Sequence, residues 1–213
     1  MDEVRFPPVR GTYRHGNLRR ALLDAGIVLA RAGGPAAVTL REATRRAGVV
    51  PNAAYRHFTS QQDLLQAVRA AALAAVATAM EREMAAIPSG LPPAGFGRAS
   101  LRAVGTGYLR FARSEPGLFR TAFGTGPQPA GVPNADQAGS SGMNPFQLLG
   151  LALDRMVAAG VLPAVRRGGA EYLAWSAVHG LAMLVIEGPL QRLEDAVVDA
   201  LIPRLLEMVE VGL

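Results

Sequence analysis

Apolar residues recur at helical spacing along most of the chain, and no segment shows the period-two alternation of a half-buried strand. The first stripe is Leu18, Ala21, Leu22, Ala25, Val28 and Leu29, which predicts a helix over 17–32 with Arg19, Arg20 and Asp24 off the apolar face. Gly33, Gly34 and Pro35 stop it. Residues 39–58 read as two short helices joined by a tight turn at Gly48. Thr39 and Glu42, three apart, predict a capping box in which each side chain covers an orphan amide of the other's turn. Leu40 and Ala43 form a small apolar face, Gly48 suits the positive φ that closes a helix, and Val49 fills the angle between the pair. Pro51 fits the first position of the second helix, where its missing N–H costs nothing. Ala54 and Phe58 point inward, which leaves Asn52, Ala53, Tyr55, Arg56 and His57 on or near the outer face.

A new helix begins after Ser60, with Asp63 three residues on, and its alanine-rich run continues to about Ile87. The segment 88–97, PSGLPPAGFG, breaks the chain. Helices follow over 100–113 and, shorter, over 118–123. Residues 124–142 are rich in Gly, Pro, Ser and Ala without periodicity, a loop that either covers a pocket mouth or is simply disordered. A helix over 145–159 turns Phe146, Leu149, Leu153, Met156 and Val157 inward. The stretch 171–187 is apolar almost all round, which implies burial on several sides. A last helix over 190–211 carries the stripe Leu193, Val197, Leu201, Leu205 and Met208, with Pro203 expected to kink it. The fold class is therefore all-α, with about nine helices. A helix-turn-helix domain over 1–60 is joined by the long helix to a second helical domain over 61–213.

Charge sharpens this division. Residues 1–60 hold ten Arg against four acids, or +6, and residues 61–213 hold twelve Arg against thirteen acids, or −1. The positive end thus coincides with the helix-turn-helix, the footprint expected of a polyanion binder. A short helix with a basic, hydrogen-bonding outer face, propped across another by a glycine turn, is the geometry that enters a DNA major groove. All 22 basic residues are Arg, which reads as GC-rich codon usage rather than function. With no cysteine, disulfides and thiolate metal sites are excluded. Residues 1–13 read as a basic arm whose Arg5 and Arg10, with neighbouring Arg14, either track phosphate or are merely solvated. The first twelve residues lack an apolar segment, and the longest apolar run, 172–186, is shorter than the ~20 residues of a spanning helix. The expectation is a cytoplasmic protein without a membrane partner.

Residues 39–65 resemble the DNA-binding signature of the tetracycline-repressor (TetR) family of bacterial regulators, on VTLRE, AGV, A-x-Y-R-H-F and S-x-x-D-L-L. A second resemblance, on EPGLFRTAF (115–123) and AWSAVHGLA (174–182), is to a TetR subgroup with a Trp, His, Gly pattern, here Trp175, His179 and Gly180. The resemblance implies a homodimer that pairs the helices of about 171–187 and 190–211 with their copies, bound to double-stranded operator DNA. It also implies a small-molecule effector of unknown identity. It places Tyr55 and His57 on backbone phosphates, contacts that position without reading sequence. Arg41 and Arg56 reach either a phosphate or a guanine edge, Asn52 is a candidate adenine reader, and Ala53 offers only apolar contact. Thr39, Pro51 and Gln61 complete the expected DNA-binding set. Two positions depart from the family pattern: Val50 stands where a capping Ser or Thr is common, and Gln61 where Lys often contacts phosphate.

In the second domain Tyr108, Phe111, Phe119, Phe123, Met156, Trp175, His179 and Met183 are candidates for an apolar effector pocket, although such residues at helical spacing also build ordinary cores. Gly180 is expected to allow close helix approach. Catalysis finds little support: His15, His57 and His179 lie in separate segments, no nucleophile elbow, phosphate loop or metal-ligand spacing occurs, and Ser176 and His179, three apart on one helix, lack an evident third orienting acid. No cofactor or metal is expected. The rival readings are a DNA-binding regulator without an effector and a helical interaction protein that uses the helix-turn-helix only for packing.

Overall fold

The computed structural model describes residues 18–124 and 135–213; the expected basic arm of residues 1–13 lies outside them. Among the described residues there are nine α-helices and no strand: α1 (Leu18–Gly33), α2 (Leu40–Ala47), α3 (Pro51–Ala54), α4 (Gln61–Ala85), α5 (Pro93–Ser114), α6 (Pro116–Phe123), α7 (Pro145–Ala158), α8 (Ala170–Ile186) and α9 (Asp195–Gly212). The all-α architecture expected from periodicity is the one found.

The basic end packs α1 on α2 and α3. Thr39 caps α2 by accepting the Glu42 amide at 3.2 Å. The second half of the expected capping box is absent, because the Glu42 carboxylate turns to Arg45 instead. Gly48 closes α2 at φ 69°, and the amides of Gly48 and Val49 bond the carbonyls of Arg45 and Thr44, a Schellman closure. Leu22, Val38, Ala43, Ala54 and Phe58 form the centre of this end, each 1% exposed or less.

The long helix α4 is the spine. It lies against α1 on one side and against α5, α6 and α7 on the other, so a single apolar core runs from Leu22 to the C-terminal Leu213. By length and composition α4 could cross a membrane, but half of its most apolar window is buried inside the protein. Ser60 caps it through the Asp63 amide at 3.1 Å, and the Asp63 carboxylate accepts the Thr59 amide at 2.9 Å.

Several boundaries differ from the sequence expectation. Helix α5 begins at Pro93, inside the segment read as a break, because Pro92 and Pro93 occupy positions where no amide is required. Helix α9 begins only at Asp195, since 188–194 form turns. The apolar stripe read from the sequence faces largely outward: Val197 and Met208 of α9 and Leu193 just before it are exposed, while Val198, Ile202, Leu206 and Val209 are buried. Both stripes are apolar, and α5 takes the second. Two ion-pair clamps hold that choice. Arg113 of α5 reaches Asp195 at 2.7 Å and also pairs with Asp199. At the other end Arg98 and Arg102 hold the buried Glu210 at 2.5 and 2.6 Å. Burial alone would raise the Glu210 carboxyl, but the two guanidiniums outweigh it and keep its pKa below the ordinary value. Helix α8, expected to be buried on several sides, buries only the small-residue stripe Ala170, Ala174, Val178 and Ala182.

Candidate DNA-binding surface and ligand cavity

The outer face of the helix-turn-helix is built as the residue types suggest, on a shorter second element. Helix α3 is a single turn, not a helix running to Phe58. Val50 contributes no side-chain cap. The amides of His57 and Phe58 both converge on the Ala54 carbonyl at 2.8 and 2.9 Å, tightening 55–57 into a turn. Arg41, Pro51, Asn52, Tyr55, Arg56 and Gln61 are exposed, and Thr39, Ala53 and His57 are half-buried. Ala54 and Phe58 anchor the element from beneath, and Arg19 lies over the Phe58 ring at 5.1 Å. Arg45 is tied to Glu42, whereas Arg41, Arg46 and Arg56 form no ion pair among the described residues. These three exposed cations lie on the same helix-turn-helix as Asn52 and Tyr55.

The second half contains a cavity of about 100 Å³ between α4, α5, α7, α8 and α9. Where a single buried water needs roughly 10–15 Å³, this space is large enough for a small organic molecule. Tyr108, Phe123 and Trp175 of the expected pocket set line it. The remaining wall was not legible from residue type: Leu73 and Met80 from α4, Leu101, Val104 and Gly105 from α5, Pro145, Phe146 and Leu149 from α7, Ala174 and Val178 from α8, and Leu206 and Val209 from α9. Each reads in sequence as ordinary core.

The other expected pocket residues are placed elsewhere. Phe119 is fully buried behind the wall, with His179 stacked on it at 5.7 Å. Met156 is buried core, Phe111 lines a separate groove between α4 and α5, and Met183 packs partly buried against the core. These four and His179 are not lining residues.

His179 nonetheless organises the wall. The Trp175 indole N–H donates to the Tyr108 hydroxyl at 3.0 Å, and that hydroxyl lies 2.8 Å from His179 Nδ1. With the indole using the hydroxyl oxygen as acceptor, the O–H is free to donate to Nδ1, which places the imidazole proton on Nε2. Burial holds His179 below its ordinary pKa, so the ring is neutral and able to accept. Burial also pushes the Tyr108 phenol well above its usual range, against a smaller lowering from Trp175. Phe119 meets the Tyr108 ring edge-on at 5.1 Å and Phe123 packs against Trp175 at 6.0 Å.

Over the cavity lies the described part of the segment expected to be a loop; residues 125–134 of it fall outside the described residues. It is not aperiodic throughout. Residues Ala135–Gln137 form a 3-10 turn, and Gln137 lines the cavity. Glu81 of α4 fastens the next turn, accepting the amides of Ser140 and Ser141 at 2.8 and 2.9 Å and the Ser141 hydroxyl at 2.5 Å. Burial opposes the Glu81 charge, but those bonds prevail and lower its pKa. Asn144 then opens α7 with a reciprocal capping box to Gln147, at 2.9 Å in each direction.

Helix α6 joins this wall to the basic end. Its Phe123 lines the cavity, while Gly117 at its start lies on the carbonyls of Ala30 and Arg31 at the end of α1. Glu115 pairs with Arg31 at 2.7 Å. The buried Arg69 of α4 donates to the carbonyls of Thr121 and Gly124 at 3.2 and 2.9 Å.

The comparisons agree with this architecture. A structure of a protein with unknown function from Rhodococcus sp. RHA1 is 25% identical, with a TM-score of 0.73, over 96% of this chain and 99% of that one. A TetR variant from Acinetobacter baumannii AYE, solved in complex with minocycline, shares the fold at 20% identity and a TM-score of 0.56, over 90% of this chain and 93% of that one. No curated protein matches the chain. The family model described as bacterial regulatory proteins, tetR family, matches residues 22–68, and that of the tetracyclin repressor-like C-terminal domain matches residues 101–209. Together they take in the helix-turn-helix and all of the cavity wall except Leu73 and Met80 of α4, and the chain belongs to the TetR family of DNA-binding bacterial regulators.

Proposed function

We propose that the protein is a homodimeric repressor, released from a palindromic operator by a small, largely apolar effector. Residues 1–60 would form the DNA-binding domain and 61–213 the effector-binding and dimerisation domain, working in the cytoplasm. Tyr55 and His57 hold phosphates, Arg41 and Arg56 hold phosphate or guanine, and Asn52 and Ala53 meet base edges. Thr39, Pro51 and Gln61 border this surface. A two-fold dimer sets two such surfaces in successive major grooves.

The observation that carries the effector reading is the cavity, whose wall includes Leu73 and Met80 of the same helix α4 that packs on α1. A regulator without an effector needs no such space behind the helix that joins its two halves. Effector binding favours the state in which α4 and α6 set the wrong spacing between recognition elements, and differential affinity for the two states is the whole driving force. The test is a gel shift on the protein's own upstream DNA at several salt concentrations. Tyr55→Ala and Arg56→Ala are each expected to weaken binding by about 1–3 kcal/mol, with a shallower salt slope for the loss of a phosphate-bound cation. Unchanged binding in both variants would sink the contact assignment.

A further inference from the structure

We infer that the cavity selects a neutral molecule of about single-ring size carrying one hydrogen-bonding group, and that Gln137 is the residue that reads that group. The inference rests on the effector reading above and narrows it to a chemical class.

None of the described residues lining the cavity is charged. A buried carboxylate or ammonium without a partner costs several kcal/mol, so an ionised ligand finds nothing here to offset its desolvation. Four of the described lining residues carry polar side-chain groups: Tyr108, Trp175, Asn144 and Gln137. Three are already committed. The Trp175 N–H is spent on Tyr108, the Tyr108 hydroxyl is shared with His179, and the Asn144 oxygen caps the Gln147 amide. The Gln137 side chain bonds no described residue, is half-buried, and lines the space. Its amide donates and accepts, so it suits a hydroxyl or a carbonyl alike. Size sets the remaining limit. The free volume of about 100 Å³ is of the order of the roughly 150 Å³ apolar cavity known to accept benzene. Glu81 fixes the turn that follows Gln137, which limits the backbone freedom of the segment that carries the amide.

Trp175 is the only tryptophan of the chain and stands in the cavity wall, so its emission reports occupancy directly. The full-length protein is titrated at neutral pH with four ring-sized probes: cyclohexanol, methylcyclohexane, cyclohexanecarboxylate and cyclohexylamine. Cyclohexanol and methylcyclohexane are expected to give saturable changes, and the two charged probes to bind at least about 100-fold more weakly. Gln137→Leu is expected to weaken cyclohexanol about fivefold and leave methylcyclohexane unchanged, which also shows that the variant is folded. A charged probe binding within threefold of cyclohexanol overturns the neutral-ligand inference. Equal effects of Gln137→Leu on the alcohol and the hydrocarbon overturn the role of Gln137. Failure of all four probes, with the operator gel shift intact, overturns the effector reading itself and this inference with it.

Discussion

Tyr108 is the residue on which the aromatic wall turns, and its two partners make His179 the wall's pH-sensitive member. Because burial lowers the folded-state pKa of His179 below its ordinary 6.5, the unfolded chain binds the proton more tightly. The stability that the neutral ring contributes is therefore complete above that value and is lost as pH falls through the lowered folded pKa. Urea unfolding at about pH 7.5 and about pH 5 is expected to show a loss of stability in the wild type. His179→Gln, which keeps an acceptor for Tyr108 but cannot titrate, should lose clearly less. Equal losses in the two proteins would refute the assignment. At this scale local signals were readable wherever chemistry is settled within one turn. The positive φ of Gly48 and the Thr39 and Ser60 caps are such cases. The missing half of the Thr39 box was not, because Arg45 competes for Glu42 and residue type does not rank the two partners.

Helix α6 has eight residues and three neighbours that matter: α1, α4 and the cavity. A Cβ at Gly117 would overlap the carbonyl oxygens of Ala30 and Arg31 and come within 2.9 Å of the Arg31 carbonyl carbon. These are backbone atoms, so no rotamer change relieves the clash and α6 must lift away from α1. Gly117→Ala is expected to cost about 1–3 kcal/mol in urea unfolding and to weaken operator binding although it lies away from the DNA-facing residues. A variant with wild-type stability and affinity would show that the joint is not tight. The expectation for Gly180 is corrected by the same criterion, since no described atom lies within 4 Å of a Cβ there.

For the whole molecule the unspent apolar surface is the informative quantity. Leu173 and Leu184 of α8 and Val197, Met208 and Val211 of α9 are exposed, with Leu173 at 67% and Val211 at 75%. Apolar residues on one pair of neighbouring helices fit the proposed dimer, and Gly180 lies on α8 between Leu173 and Leu184. Sedimentation equilibrium is expected to give a dimer for the wild type and a folded monomer for the Leu173→Glu, Met208→Glu double variant, with operator binding lost in the second. A wild-type monomer at micromolar concentration, or a double variant that remains dimeric, would remove this face from the interface.

The amino-acid sequence alone determined the helical class, the approximate extent of most helices, the helix-turn-helix and the segregation of charge, because these follow from contacts within four residues and from counting. It also marked an apolar stripe on most helices, though only one of the two on α9. What it left to the tertiary structure was the object each stripe faces. Helix α9 has two apolar stripes, and the Arg113, Arg98 and Arg102 clamps from α5 select Val198, Ile202, Leu206 and Val209 as the inner one. Phe119, Met156 and Phe123 are indistinguishable by periodicity, yet the first two are packed core and the third lines a cavity. Helical spacing specifies a direction from the axis; whether side chains or empty space lie in that direction depends on residues distant in the chain.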